Sequence, residues 1–323
     1  MKRITRNLTL SAARIAVIFA MSGCMVGKCM CNYALLPEEQ GNEIEGDRVK
    51  VEERYPGTIA WYDALRSDGT DRDGTIEGEG GCKLYDEYVT ASDPANAQGT
   101  AVVVHGYTDN HICFLNLVRM YRDSLNYNVL VPDLHHHGYS EGDAVQMGWL
   151  DRLDAIRFIE KAHEIFGDDF LVMHGVSMGG ATTMMTSGED LPEYVRAFVE
   201  DCGYSSVWNQ YKYNLKQMFH LPSWPVLNSA SNVCRRRYGW DFKQASSMDQ
   251  LAKCERPMLF IHGDNDDFVP TSHVYMNYDA KVKGYKEIWL APGSAHAMAY
   301  KDHPAEYTAH VRSFLAKVRE LGL

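Results

Sequence analysis

The chain has little of what marks several common classes of protein. Its 32 basic and 43 acidic residues give a net charge of −11 and an isoelectric point near 5.6. An acidic chain is poorly suited to binding a phosphate backbone, so we do not expect nucleic acid as a partner. The sequence has no G-x-G-x-x-G and no phosphate-binding loop. A nucleotide cofactor therefore has no support, and we expect no cofactor.

Cysteine also follows no metal-binding or redox pattern. No two of the eight cysteines have the C-x-x-C spacing of a zinc or redox site, so buried free thiols are the expectation. If the protein is exported, one disulfide is possible, but the sequence does not identify the pair. Three cysteines lie near the N-terminus and five are scattered: Cys24, Cys29 and Cys31, then Cys82, Cys113, Cys202, Cys234 and Cys254.

The first 36 residues differ from the rest because they contain no acidic residue. Four basic residues are followed by a nearly apolar run over 15–27. About 13 apolar residues are too few for a spanning helix, which needs roughly 20, and fit the core of an export signal. Residues 21–24, Met-Ser-Gly-Cys, resemble a bacterial lipobox, in which Cys24 would be lipidated. We expect residues 1–36 to be a signal, lipoprotein or membrane-anchor segment, which places the body outside the cytoplasm. The alternative is a buried N-terminal helix.

Residues 37–84 are rich in Gly, Asp and Glu, and we interpret them as a polar stalk and lead-in. An Asp-x-Asp-Gly at 71–74 has part of a calcium-loop pattern but lacks the closing Glu, so a solvated turn is the favoured interpretation. Strand structure is expected from about residue 83 to 90.

From residue 100 onward, short apolar runs alternate with helical patterns. Apolar runs of about five residues suit strands buried on both faces, and their alternation with helices predicts an α/β fold with a mainly parallel, doubly wound sheet. Helices are expected at 149–166 and 307–321. The predicted strands are 100–105, 128–133, 170–174, 197–201, 258–262 and 287–290.

One interval, about 204–250, interrupts this alternation. It has no clear strand, and its aromatic and aliphatic residues from Trp208 to Phe219 follow helical spacing. An insertion above the sheet edge would cover a ligand site, so we expect a helical lid. The aromatic side chains would also pack the insertion onto the body.

The strongest motif is the G-x-S-x-G at 175–179, directly after a predicted strand and directly before a predicted helix. That context is typical of a nucleophile elbow, which presents the hydroxyl of Ser177 at the carboxyl end of the sheet. The serine needs a base, and the base needs a carboxylate, in the chain order Ser, Asp, His. His296 follows the last predicted strand, and three acids follow an earlier one: Asp264, Asp266 and Asp267.

These segments and the segment 104–107 (Val-His-Gly-Tyr) follow one another in the same order as the corresponding motifs of the α/β-hydrolase superfamily. From about residue 85 to 323 the chain resembles its serine hydrolases, and is most similar to the bacterial membrane-anchored BEM46-like and serine-aminopeptidase-like proteins. The family pattern H-G-x-x-D-x-x-V-P at 262–270 implies Asp266 as the acid. His296 matches the family's catalytic histidine. The resemblance also implies an oxyanion hole formed by the amides of Tyr107 and Met178.

Other histidines and arginines are better explained as structural. His135, His136 and His137 are consecutive, so their side chains diverge, and the segment resembles the family's turn after a strand. We therefore expect no metal site there. The arginines at 235–237 suit a solvated face, with an anionic substrate as the alternative.

The sequence thus predicts a serine hydrolase that cleaves a small-molecule carboxylic ester through an acyl-enzyme. Ser177, His296 and Asp266 would form the triad. Amide or short-peptide hydrolysis is the alternative, because the same machinery serves both reactions. A non-catalytic binding protein on this scaffold is a further alternative, although no triad member is missing. A serine at the elbow argues against a dehalogenase, whose family uses Asp there.

Overall fold

A single mixed sheet organises the described residues of the computed structural model, which are 25–37 and 43–323. The sheet has eight strands in the order β1-β2-β4-β3-β5-β6-β7-β8, with β2 antiparallel to both neighbours and the other pairs parallel. All six predicted strands from residue 100 onward are confirmed. The strands are β1 Asp71–Glu77, β2 Lys83–Val89, β3 Thr100–Val104, β4 Asn128–Pro132, β5 Leu171–Val176, β6 Val195–Asp201, β7 Met258–Gly263 and β8 Lys286–Ala291.

Helices cover both faces of this sheet. The predicted helix at 149–166 is confirmed, and its buried face includes Ala155, Phe158, Ile159 and Ala162. The helices are α1 (residues 25–35), α2 Ile44–Arg54, α3 Thr58–Asp68, α4 Leu115–Arg119, α5 Asp151–Phe166, α6 Met178–Thr186, α7 Val207–Phe219, α8 Ser223–Tyr238, α9 Ser247–Leu251, α10 Ser272–Ala280, α11 Ala299–Asp302 and α12 Pro304–Glu320.

The central strand β3 shows why the parallel strands are continuously apolar. Val102 and Val104 point into the core on one face of the sheet, and Ala101 and Val103 point into the core on the other. Side chains alternate along a strand, so covering both faces with helices requires an apolar residue at every position.

Residues 25–35 form a helix that packs on the body. Cys31 and Leu35 of α1 are fully buried in the same core as Val102. For these residues the structure matches the alternative of a buried N-terminal helix. The predicted basic head, the apolar run as far as residue 24 and the Cys24 site lie outside the described residues. Within 25–37 and 43–323, no helix is long and apolar enough to cross a bilayer.

The stalk expectation is wrong for residues 44–77, which form α2, α3 and β1. Each helix has few apolar residues, but they pack together: Ile44, Val51 and Tyr62 contact Ile112 and Leu115 in one small cluster. The segment reads as polar because most of its side chains face solvent. The Asp-x-Asp-Gly at 71–74 is not the expected solvated turn: it lies in edge strand β1, where Asp71 is buried and Asp73 is exposed.

The predicted lid is present between β6 and β7 as α7, α8 and α9. The hydroxyl of Ser206 accepts a hydrogen bond from the Asn209 amide at 3.1 Å and caps α7. Trp240 and Phe242 are buried between the lid and the body, as expected for aromatic residues that pack the insertion onto the body. Trp224 is largely exposed.

Candidate active site

Ser177 occupies a strained turn between β5 and α6. Its φ of 57° and ψ of −115° are rare for a residue with a side chain. The amide of Ser177 donates to the carbonyl oxygen of Asp201 on the adjacent strand at 2.8 Å, which fixes the turn. The sequence prediction of a nucleophile elbow at the carboxyl end of the sheet therefore agrees with the observed backbone.

The glycines that flank Ser177 are required by close backbone contacts. A β-carbon on Gly175 would lie 2.0 Å from the carbonyl oxygen of Gly179, and one on Gly179 would lie 2.1 Å from that of Val104. No side chain fits at either distance. The first and last glycines of the motif therefore allow the first turn of α6 to approach β3 and β5.

The structure brings Ser177, His296 and Asp266 into one chain of hydrogen bonds. The Oγ atom of Ser177 lies 2.8 Å from Nε2 of His296, and Nδ1 of His296 lies 2.7 Å from Oδ2 of Asp266. With Nδ1 protonated toward the carboxylate, Nε2 is an acceptor for the serine hydroxyl. This arrangement can move a proton from Ser177 to His296 while the carboxylate stabilises the imidazolium.

Asp266 is the acid that faces the imidazole, and its two acidic neighbours face elsewhere. Its Oδ1 accepts the amides of Phe268 and Val269 at 3.0 and 2.9 Å. Burial acts to raise the pKa of Asp266, but hydrogen bonds from His262 and His296 outweigh it and hold the pKa well below its usual range. The carboxylate is therefore ionised and fixed in orientation.

Asp264 and Asp267 take other positions in the same loop. Asp264 accepts the amide of Gly293 at 2.6 Å, and the carbonyl oxygen of Asp267 accepts the hydroxyl of Tyr213 at 2.9 Å. Both acids are exposed, in contrast to the buried Asp266.

Tyr107 and Met178 both lie close to Ser177. A β-carbon on Gly106 would be 3.5 Å from Cβ of Ser177, so the residue before Tyr107 lies close to Ser177. Met178 is the first residue of α6, where an amide has no acceptor within the helix. Both residues line the same cavity as Ser177. The loop after β3 and the start of α6 thus converge beside the hydroxyl.

Two of the three consecutive histidines at 135–137 have separate structural partners. His136 Nδ1 bonds the carbonyl oxygen of Gly142 at 2.8 Å, and His137 Nδ1 bonds that of His135 at 2.9 Å. His137 Nε2 accepts the Thr108 amide at 3.2 Å, which holds the loop carrying Tyr107. This contact was not predicted from the sequence. Its only signal was that the histidine turn and this loop follow strands predicted to be parallel.

His174 is a buried core histidine linked to two tyrosines. Its Nδ1 lies 3.0 Å from the Tyr121 hydroxyl and its Nε2 lies 2.8 Å from that of Tyr307, which donates to Asp201 at 3.0 Å. Burial lowers the pKa of His174 to about 3 and raises that of Asp201 to about 6. This polar chain supports the strand whose carbonyl receives the Ser177 amide.

One further cluster of potential metal ligands involves the same site. Ligand atoms of Cys202, Asp266 and His296 lie within 4.8 Å of one another. The imidazole and the carboxylate already bond each other, and burial raises the pKa of the Cys202 thiol well above its usual value. A protonated thiol is a poor ligand, so the donor set suits proton transfer better than metal binding.

A cavity of about 770 Å³ opens beside Ser177. Its walls come from the lid, from α1 and from the loop after β3. This volume is in the range that holds a small organic ligand, and an apolar lining suits an apolar one. The apolar side chains of its wall include Tyr33, Leu36, Leu215, Met218, Phe219 and Leu227.

Residues 132–321, more than half of the chain, match the model of the prolyl oligopeptidase family. The chain belongs to this family. The match covers Ser177, Asp266 and His296, together with the lid. The chain is therefore a serine hydrolase of the α/β-hydrolase type, as the sequence resemblance implied.

The chain is also similar to relatives of known sequence. The Bacillus subtilis (strain 168) protein YqkD is 29% identical over 70% of this chain and 74% of its own length. The protein bem46 of Schizosaccharomyces pombe is 22% identical over 64% of each chain. The resemblance to BEM46-like proteins is thus confirmed.

Solved structures show the same fold. Esterase Pf2001 of Pyrococcus furiosus superimposes with a TM-score of 0.62 at 19% identity, over 78% of this chain and 95% of its own. The acylaminoacyl peptidase of Pyrococcus horikoshii gives a TM-score of 0.58 at 16% identity, over 79% of this chain and 43% of its own. At these identities the likeness concerns the fold, and the predicted α/β-hydrolase fold is confirmed.

Proposed function

We propose that the protein hydrolyses carboxylic esters with an apolar acyl or alcohol group, through a covalent acyl-enzyme. The observation that carries this proposal is the hydrogen-bonded chain from Ser177 through His296 to Asp266, at the wall of an apolar cavity. The substrate class is a small-molecule ester, and no step requires a cofactor.

In the acylation step, Oγ of Ser177 forms a bond to the ester carbonyl carbon while its proton passes to Nε2 of His296. The tetrahedral intermediate then expels the alcohol, which takes that proton from His296. In the second step, water gives a proton to His296 and attacks the acyl carbon, and Ser177 leaves with the proton returned. Asp266 stays ionised throughout and holds the imidazole in the required tautomer.

The amides of Tyr107 and Met178 would stabilise the oxyanion in both steps. Helix α6 supports this role because its first amides and its dipole favour negative charge at that end. Losing one oxyanion donor typically costs ~10²–10³ in rate, so the position of the loop after β3 also matters for turnover.

Amide or short-peptide hydrolysis is the second candidate, and the match to the prolyl oligopeptidase family favours it. The same nucleophile, base and oxyanion donors act on both bond types. The cavity argues for an apolar ligand, since its wall includes Tyr33, Met218 and Phe219, and this favours the ester.

The test is a series of p-nitrophenyl esters from acetate to decanoate, measured beside aminoacyl amides. We expect the esters to be preferred and kcat/KM to rise with chain length before it falls. Ser177→Ala should abolish turnover and labelling by a fluorophosphonate probe. Labelling at Ser177 with preference for the amides would favour the peptidase, and an unlabelled folded protein would favour the non-catalytic binder.

We also propose that residues 1–24 export the chain and attach it to the cytoplasmic membrane, with the hydrolase outside. Support comes from the sequence alone, which has a basic head, an apolar run and Cys24 in a lipobox-like context. Incorporation of a fatty-acid label that disappears in Cys24→Ala would support lipidation. An unlabelled chain that still sediments with membranes would indicate an uncleaved anchor, and a chain found only in the soluble fraction would contradict both.

A further inference from the structure

Two cysteines meet where α1 lies against the lid helix α8. Cys31 and Cys234 are both 0% exposed, and both belong to the core between the lid and the body. The strongest influence on the pKa of each thiol is the other thiol, so the two side chains lie next to each other. Neither residue takes part in the proposed hydrolysis.

Contacts on both sides of this pair fix the register of the two helices. A β-carbon on Gly27 would lie 2.7 Å from the backbone carbonyl carbon of Ser229, so the helices touch closely there. Beyond the cysteines, Nη1 of Arg237 donates to Oδ1 of Asn32 at 2.6 Å. The contacts advance together along both helices, which therefore run in parallel. The cysteines are held between the two flanking contacts.

The same contact forms a wall of the cavity beside Ser177. Tyr33 and Ala34 of α1 line this cavity together with Leu227 of α8. The Tyr107 hydroxyl donates to the carbonyl oxygen of Ala34 at 3.1 Å, which joins α1 to the loop after β3. A covalent link between α1 and α8 would therefore hold two walls of the cavity together.

The two thiols differ in their readiness to react. The hydrogen bond from Cys234 lowers the pKa of Cys31, burial opposes this effect, and the positive charge of Arg237 adds to it. The hydrogen bond and burial both raise the pKa of Cys234. Cys31 is therefore the thiol that more readily becomes the attacking thiolate.

We propose that Cys31 and Cys234 are an oxidative modification site that forms a disulfide between α1 and the lid. The oxidant is an external disulfide, which reaches the two buried thiols when α1 separates from the lid. The thiolate of Cys31 attacks one of its sulfur atoms, forms a mixed disulfide and displaces the first thiolate. Cys234 loses its proton to solvent and attacks the sulfur of Cys31, which releases the second thiolate. The cysteine pair loses two electrons, and the external disulfide gains them.

This step is independent of the proposed hydrolase activity and of its substrate. It suits an oxidising compartment, where disulfides persist, and so agrees with the proposed location outside the cytoplasm. In a reducing compartment the same pair would remain as two buried thiols.

The test is peptide mass mapping of the full-length protein without reduction. The protein is incubated with oxidised glutathione, quenched in acid, alkylated while denatured and digested. We expect a linked peptide that contains Cys31 and Cys234 and lacks two hydrogen atoms. The exposed Cys29 reports internally that the oxidant has acted, because it should carry glutathione.

Variants separate this link from other pairings. The linked peptide should disappear in Cys31→Ser and in Cys234→Ser, and persist in Cys254→Ser, a matched control that is buried at another site. The oxidised wild type should also have a higher Tm than oxidised Cys31→Ser. The proposal is overturned if both cysteines are found alkylated while Cys29 is glutathionylated, or if Cys31 is linked to another cysteine.

Discussion

The amide of Thr108 donates a hydrogen bond to Nε2 of His137 at 3.2 Å, and this contact ties the loop after β3 to the turn after β4. The other ring nitrogen of His137 bonds a backbone carbonyl oxygen, so Nε2 is the acceptor. Burial holds the pKa of His137 well below its usual value, which keeps the imidazole neutral. The position of the Tyr107 amide therefore depends on a histidine that does not line the cavity beside Ser177.

Replacing this histidine should lower turnover without removing the nucleophile. We expect His137→Ala to reduce kcat for a p-nitrophenyl ester by about tenfold or more with little change in KM, since a displaced oxyanion donor loses part of its ~10²–10³ contribution. His136→Ala is the control, because its partner is Gly142. Equal kcat values for the two variants would show that His137 does not position the loop.

The choice among the three acids of the β7 loop can be measured directly. Asp266→Asn should lower kcat by ~10⁴, because an amide no longer holds His296 in the productive tautomer. Asp267→Asn should retain nearly full activity, since its side chain is exposed. Rates of ester hydrolysis for the two variants, with circular dichroism to verify folding, are the measurement. If only Asp267→Asn lost activity, the acid of the triad would be Asp267 and not Asp266.

Two glycines in helices should respond to alanine with opposite signs. A β-carbon at Gly179 meets the Val104 carbonyl oxygen at 2.1 Å, so Gly179→Ala should lower the free energy of unfolding by about 1–3 kcal/mol. At Gly46 in α2, an added β-carbon would lie 3.7 Å from the closest atom. Gly46→Ala should therefore raise the free energy of unfolding by about 0.5–1 kcal/mol. Urea denaturation measures both. Similar changes at the two sites would contradict the steric argument.

The strands and the serine elbow were predictable because their signals are local. An apolar run or a glycine spacing needs only adjacent residues, as at Gly175 and Gly179. The acid at Asp266 required the family pattern, since three neighbouring aspartates carry the same local signal. The structure adds that backbone amides from the same loop orient this carboxylate.

What the sequence did not predict depends on contacts between distant segments. Helices α2 and α3 present few apolar residues, and their partners Ile112 and Leu115 lie more than forty positions further along. Residues 25–35 continue an apolar run that is typical of export signals. For this reason the sequence did not indicate that they form a wall of the cavity. Burial of Cys31 against Cys234 is likewise a consequence of tertiary packing.

The size of the cavity can be tested by filling it from the lid. Val226 of α8 lines the cavity, and Asn232 on the same helix is exposed. We expect Val226→Trp to lower kcat/KM for decanoate esters by about tenfold or more, equal to at least ~1.4 kcal/mol, with acetate little affected. Asn232→Trp should leave the chain-length profile unchanged. A uniform decrease for all esters would show that the acyl chain does not occupy this cavity.

A buried carboxyl at the start of α5 should make stability depend on pH. Asp151 accepts the Gly148 amide at 2.7 Å, and among the described residues its Oδ1 has no hydrogen-bond partner. Burial, together with the charge of Asp154, raises its pKa from 3.8 to about 8. Between these two values the folded state keeps a proton that the unfolded state has released. The free energy of unfolding therefore falls as pH rises, by at most about 1.4 kcal/mol per pH unit from this group.

Asp151→Asn removes this titration and should flatten the profile. Urea denaturation at about pH 5 and about pH 8 should show the variant gaining up to about 4 kcal/mol relative to wild type at the higher pH. The difference between the two proteins isolates Asp151, because all other titrating groups are shared. Parallel profiles would mean that the carboxyl ionises with an ordinary pKa, either because water reaches Oδ1 or because Asp154 carries the proton instead.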